Sequence, residues 1–321
     1  MFSVVMPTFN RAGLLRRALQ SLKDQTFRDF ELLVVDDGSA DETDDVLAAY
    51  GGRLEVIRSD RRGAPMARNA AIARASGRYL VFLDDDDVFF PWALATLRDA
   101  IELHGSPALV CSRILEFSRD EELADVRRDP LRIDRWADFL EATRARYNIT
   151  LPGTAVRTDL ARAAGGFFEE HVAGEEHDLF LRLGEAEGFL FIQSPPVFGY
   201  YQHADTLSRD TRYLYLGARH LRRREESGLY AGGGKRRAER ALLLSRITDY
   251  SVTRASSAGD MHYAVAIWLT GLRWYLRCGR TKHAFLDLPL RPVRHAWGRN
   301  LRRIRRSLPD RDGAGRAEPR V

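Results

Sequence analysis

Residues 79–87 read YLVFLDDDD, five apolar positions running without a break into four aspartates. A short uninterrupted apolar run is the mark of a strand covered on both faces, as strands of parallel sheets are. The same unit recurs on either side. Phe2–Met6 and ELLVV at 31–35 are apolar runs that stop at PTFN (7–10) and DDGS (36–39), and LEVIR at 54–58 follows. Helical signals lie between them. One runs from a cap at Asn10 to about Gln25. A second starts at Ser39, whose spacing to Glu42 is that of a capping box, and reaches Tyr50. A third is Pro65–Ala75, with proline near its start. Downstream, Pro91–Leu103 reads as a helix and Ala108–Glu116 as a strand. Repeated βα units predict an α/β fold, a mostly parallel sheet with helices on both faces. Ligands of such sheets sit beyond the carboxyl ends of the strands. Pro7-Thr8-Phe9, Asp36-Asp37 and Asp84–Asp87 all fall there.

Residues 117–150 are polar and irregular and read as an insertion. Gly153–Arg157 is a short strand, Asp159–Ala164 a helix stopped by Gly165-Gly166, Glu175–Leu183 a helix, and Phe189–Gln193 and Val197–Gln202 strands. From about Thr211 the chain turns to long, basic, leucine-rich helices with a turn at Gly232–Gly234. This divides it into a ligand-binding and catalytic domain at 1–210 and a helical, basic region at 211–321.

Composition removes several function classes. With 45% hydrophobic and 30% charged residues, 321 positions can bury a full core, which excludes a disordered or collagen-like chain. Cys111 and Cys278 are the only cysteines, so a cysteine metal cluster or disulfide framework is excluded and a reducing compartment fits. No basic leader follows Met1, and no run reaches the roughly 18–20 apolar residues of a spanning helix; the expected location is the cytoplasm. The net charge is +5, but residues 279–321 carry twelve Lys or Arg against four acids, a local +8 that leaves −3 for the rest. Basicity therefore belongs to the tail and not to the acidic strand ends.

Four adjacent carboxylates at the end of a buried strand repel one another and lose hydration. A bound divalent cation resolves that conflict, and oxygen ligands suit Mg²⁺ or Mn²⁺. No GxxxxGK[ST] or GxGxxG element follows the first strand, so bound phosphates would be neutralised by the metal. The plain alternative is a solvated turn whose acids cap the next helix. The second pair, Asp36-Asp37, at a neighbouring strand end weighs against it.

MPTFNR (6–11), QTFRDFELLVVDDGSADET (25–43), GAPMARNAAIARASGRYLVFLDDDD (63–87) and GEEHDLFLRL (174–183) resemble family 2 glycosyltransferases of the GT-A fold, over about residues 2–205. The resemblance implies an inverting enzyme using a nucleotide-diphosphate sugar, by family habit a UDP-sugar. Phe9 would lie against the base, with Pro7 and Thr8 shaping its pocket. Asp37 would bond the base edge, and Asp36 would support it or bind ribose. Arg68 and Asn69, in the G-x-x-x-A-R-N element, would lie beside the nucleotide. The family's DxD falls on Asp84-Asp85-Asp86: Asp86 is the metal ligand, Asp84 meets ribose or an inner-shell water, and the run of four aspartates leaves Asp85 and Asp87 in register doubt. The base is a carboxylate six residues before an Arg; counted from Arg182 it is Glu176, where the family has Asp. Asp178 is the fallback base. His203, after Tyr200-Tyr201, would stand near the metal or diphosphate. The acceptor would be the hydroxyl of a glycan, lipid-linked or other molecule.

Two rival classes remain at this point. One is an inactive nucleotide-sugar-binding scaffold of a polysaccharide-assembly complex, supported by Glu at position 176. The other is a nucleotidyltransferase, which would want a Gly-rich basic loop after the first strand, where Pro7–Arg11 stands instead. In the tail, RPVRHAWGRNLRRIRR at 291–306 places Val293, Trp297, Leu301 and Ile304 on one helical face among arginines. That pattern suits an anionic membrane surface, peripheral on its inner face, or a solvated or partner-bound helix. Sparse aromatic interleaving argues against nucleic acid.

Overall fold

The computed structural model describes residues 2–51, 54–203 and 207–287. The helix expected over 291–306 lies outside the described residues. The first strands and helices alternate: β1 (Phe2–Thr8), α1 (Ala12–Lys23), β2 (Phe30–Asp36), α2 (Thr43–Tyr50), β3 (Leu54–Arg58), α3 (Ala64–Arg74) and β4 (Tyr79–Phe82). There follow β5 (Val88–Phe89), α4 (Ala93–Leu103), β6 (Leu109–Ser112), β7 (Leu115–Phe117), β8 (Arg132–Trp136), α5 (Phe139–Ala142), β9 (Ala155–Arg157), α6 (Thr158–Ala163), α7 (Glu175–Arg182), β10 (Phe189–Ser194) and β11 (Phe198–Tyr201). Three long helices complete the described chain: α8 (Thr211–Glu226), α9 (Arg237–Ser257) and α10 (Met261–Arg277), then a π-helical turn at His283–Asp287.

Among the described residues, an eight-stranded sheet runs in the order β3-β2-β1-β4-β9-β6-β10-β8. β1 pairs in parallel with β2 and β4, and β2 with β3; β9 is antiparallel to β4 and β6, and β8 is antiparallel to β10. The strands alternate between two cores because successive side chains point to opposite faces. Phe2, Val4, Met6, Leu32 and Val34 face the layer of α1, α2 and α4, while Val5, Leu33 and Val35 face the layer of α3, α6 and α7. Burial on both faces is what made these strands read as solid apolar runs.

Four local expectations are corrected. Asn10 does not cap α1: it sits at φ 51° and its side-chain oxygen accepts from Ala40 N, while Asp41 accepts from Ala12 N. The Ser39–Glu42 box does not form either; Ser39 Oγ accepts from Asn10 N and α2 starts only at Thr43. The single strand expected over Ala108–Glu116 is two, β6 in the large sheet and β7 in a small sheet ordered β5-β11-β7. The irregular 117–150 segment contributes β8, the edge strand, whose half-exposed positions hide any apolar run.

The C-terminal helices dock on α5 and α7. Leu140 and Leu181 share one buried cluster with Leu221, Tyr230, Ala241, Leu244 and Trp274. The approach of α8 is close: a Cβ on Gly217 would stand 2.2 Å from the Ala173 carbonyl oxygen, so only glycine fits.

Candidate active site

The strand ends deliver the acidic residues to one rim. Asp84, Asp86 and Asp87 each place a carboxylate oxygen within 4.8 Å of the others. Asp86 Oδ2 stands 3.0 Å from His203 Nε2 and takes a 2.8 Å hydrogen bond from Arg11 Nη1. Asp87 Oδ1 accepts from Tyr201 N at 2.9 Å; its Oδ2 is buried with no hydrogen-bond partner among the described residues. Burial and then the charge of Asp86 push the Asp87 carboxyl well above its ordinary range. Three converging carboxylates, one of them with an orphaned buried oxygen, form a donor set that fits a hard divalent cation, with the His203 imidazole beside Asp86.

Asp85 departs from expectation. It turns away from the other three: its Oδ2 accepts from Thr8 Oγ1 at 2.8 Å and its Oδ1 from Arg11 Nη1 at 3.1 Å. Burial, with Asp86 beside it, pushes it up to about 7. Asp84–Asp87 form a turn beyond the end of β4, and Asp85 is the one of the four that braces β1 through Thr8.

Arg68 is the buried link between the rim and α7. Its Nη2 donates to Asp84 Oδ1 at 2.6 Å and its Nη1 to Glu175 Oε1. Burial, opposed in part by Arg68, pushes Glu175 up to about 7. Its neighbour Glu176 pairs with His177 Nδ1 at 2.9 Å. Burial would raise Glu176, but the His177 imidazole beside it outweighs that and holds the carboxyl below its ordinary range. Asp84, Arg68, Glu175 and Glu176 line one cavity of about 430 Å³. Its far wall comes from Tyr147–Pro152 and from α8 and α9.

Two further expectations are corrected here. Asn69 does not face a ligand: both ends of its amide are spent on Phe167, Nδ2 donating to its carbonyl and Oδ1 accepting from its N–H at 2.8 and 2.7 Å. Asp178 is no candidate base. It has no exposed surface and accepts from Arg182 Nε, Arg224 Nε and Tyr230 Oη at 2.9, 2.9 and 3.0 Å.

The nucleotide-side residues assemble as a second group. Phe9 is 40% exposed, with the Arg61 guanidinium 5.1 Å from its ring centroid; Pro7 and Thr8 are buried beneath it. Asp37 accepts from Arg62 N and Gly63 N at 2.9 and 2.7 Å, holding the loop before α3, where Gly63 takes φ 83°. Each of its oxygens keeps a second lone pair. Asp36 is buried and accepts from Ser39 N and from Arg58. Arg11, Asp87 and Glu175 were not assigned from sequence. Arg11 had one signal: a cation three residues beyond β1, facing an acidic rim.

The fold is of the GT-A type, with an acidic rim at the ends of its strands. Residues 3–157 match the family described as glycosyl transferase family 2. Over 100 residues it is 39% identical to the GalNAc(5)-diNAcBac-PP-undecaprenol beta-1,3-glucosyltransferase of Campylobacter jejuni, covering 30% of this chain and 32% of that one. The chain spans a third or less of the length of the first curated relatives it matches. Among solved structures it is similar to S. aureus TarS residues 1–349, with TM-score 0.58, 20% identity and 88% of each chain covered. It is also similar to the mannosyltransferase PcManGT of Pyrobaculum calidifontis, solved with GDP-Man and Mn²⁺, with TM-score 0.51, 20% identity and 92% and 87% covered.

Proposed function

We propose that this protein is an inverting, metal-dependent glycosyltransferase that moves a sugar from a nucleotide-diphosphate sugar, a UDP-sugar by preference, to an acceptor hydroxyl on a glycan or lipid-linked molecule. The observation that carries the reading is that Asp84 of the three-carboxylate rim and Glu176 line the same cavity. Asp86 with His203, and Asp84 and Asp87 beside them, would hold Mn²⁺ or Mg²⁺. When bound, the cation neutralises the diphosphate and the charge that develops on it as the sugar departs.

The chain's own residues supply the rest. Phe9 offers its exposed face to the base over Pro7 and Thr8, and Asp37, supported by Asp36, addresses the base edge. Arg68 orders Asp84 against α7. Glu176, ionised at neutral pH, takes the proton of the acceptor hydroxyl. That oxygen forms the new bond to the anomeric carbon from the face opposite the leaving group. The anomeric carbon–oxygen bond breaks, and the nucleoside diphosphate leaves with the electron pair. One displacement inverts the centre. Glu176 stands where the resemblance has Asp, with its carboxylate 2.9 Å from His177 Nδ1.

We assign residues 1–210 to the GT-A unit and 211–321 to a helical unit that walls the acceptor end. We place the protein in the cytoplasm, with the inner membrane face as the surface met by residues 291–306. The test is UDP release from a panel of UDP-sugars by purified protein with Mn²⁺. Glu176→Gln and Asp86→Ala are expected to lower turnover by about 10²-fold or more with unchanged melting temperatures, and EDTA to abolish it until Mn²⁺ is restored. Full activity in either variant, or in EDTA, overturns the reading.

A further inference from the structure

Helix α10 carries an apolar stripe on its outer face. Its inner face packs on α8 and α9 through Ala264, Ile267, Trp274 and Tyr275, all at most 2% exposed. On the other side Met261, Val265, Leu269 and Leu276 are 46, 49, 55 and 52% exposed. Their spacing of four, four and seven keeps them within about a quarter of the helix circumference. The stripe continues past the end of the helix. Trp268 Nε1 donates to Ala284 O at 3.0 Å, and Phe285, 51% exposed, sits edge-on to the Trp268 ring at 6.4 Å. Scattered single exposed apolar residues need no explanation, but five large ones in line do.

Charge identifies what covers it. Residues 260–287 contain Arg273, Arg277, Arg280 and Lys282 against Asp260 and Asp287, and residues 288–321 add ten Arg against three acids. Arg273 and Arg277 follow the stripe along one edge of the helix, at four-residue spacing. A second copy of the chain paired along this face by a two-fold axis would bring these basic edges together, with Glu226 of α8 answering Arg273 and no acid of α10 answering Arg277. The chain's own arginine-rich tail would be repelled in the same way. An anionic bilayer answers both features at once, apolar side chains entering the acyl boundary and arginines meeting headgroups. No helix among the described residues is long and apolar enough to cross a membrane, so α10 would lie on the surface.

We infer that the outer face of α10, from Met261 to Phe285, is a membrane-docking surface for anionic lipid. It shares with the reading above only the expectation of a membrane. Donor chemistry and the arginine-rich segment 291–306 can each fail without it, because the assay needs no donor and reads α10 directly. The full chain is mixed with vesicles of phosphatidylcholine and phosphatidylglycerol, 1:1, and sedimented. The protein is expected to partition with these vesicles at least tenfold more strongly than with phosphatidylcholine alone. Leu269→Glu/Leu276→Glu is expected to lower that partitioning at least tenfold with an unchanged melting temperature. An environment-sensitive fluorophore on Leu269→Cys is expected to shift to the blue on binding, and this holds as the deciding measurement should the double variant fail to fold. Three results overturn the inference: wild-type protein that stays in the supernatant, a bound protein whose label at 269 does not shift, or a dimer in solution that Leu269→Glu/Leu276→Glu dissociates.

Discussion

Asp178 and Glu176 are two residues apart on one short helix and live in opposite environments. Glu176 opens on the cavity, whereas Asp178 is sealed between Arg182, one turn on, and Arg224 and Tyr230 of the C-terminal region. A buried carboxylate ringed by donors is costly to neutralise, because the cations facing it are left uncompensated. Asp178→Asn is therefore expected to cost about 3–5 kcal/mol of stability, read as a lower urea midpoint, while the folded fraction keeps its donor turnover. Lost turnover with an unchanged midpoint would make Asp178 the base after all. Motif counting back from Arg182 put Glu176 first and kept Asp178 as the fallback, without sight of what surrounds either. The partners that decide the matter lie 46 and 52 residues downstream.

At the scale of elements, close approach decides which substitutions matter. Gly217 brings α8 onto the loop just before α7, and a methyl group there meets a backbone carbonyl that cannot move aside. Gly217→Ala is expected to destabilise by about 1–3 kcal/mol and, by pushing α8 off α7, to disturb Glu176. Gly13→Ala is the control. It lies in α1 with nothing within 4 Å of the added carbon, so the same change should be neutral or stabilise by up to about 1 kcal/mol. Paired urea titrations of opposite sign check both; equal effects would remove the packing argument. Strands β1, β2 and β4 were legible because both of their faces are covered. The caps of α1 and α2 were not, since Asn10, Ser39 and Asp41 spend their bonds between the two loops instead of within one helix.

For the whole molecule, the boundary near residue 210 separates two textures of sequence, yet the packing runs across it. Leu140 and Leu181 are covered by residues of α8, α9 and α10 and by Tyr230, and Asp178 finds two of its three donors there. A fragment ending at 210 would expose that apolar cluster and strand a buried charge. It is expected to lose its near-ultraviolet dichroism and to bind hydrophobic dye, as a loosely packed globule does. A fragment melting cooperatively at the temperature of the full chain would show instead that 211–321 is an accessory.

Periodicity, strand ends and the order of four motifs were enough to set the sheet, its parallel core and the acidic rim, because each depends on neighbours within a few residues or on the regular geometry of βα units. Which aspartate faces outward, that Asn69 clamps Phe167, that Asp178 is a brace, and that α8 and α9 close the cavity were decided only by the tertiary structure. Side-chain direction at a strand end and pairing across fifty to a hundred residues depend on how layers stack. Stacking is set by the shape and burial of the whole core, which no local window of sequence contains.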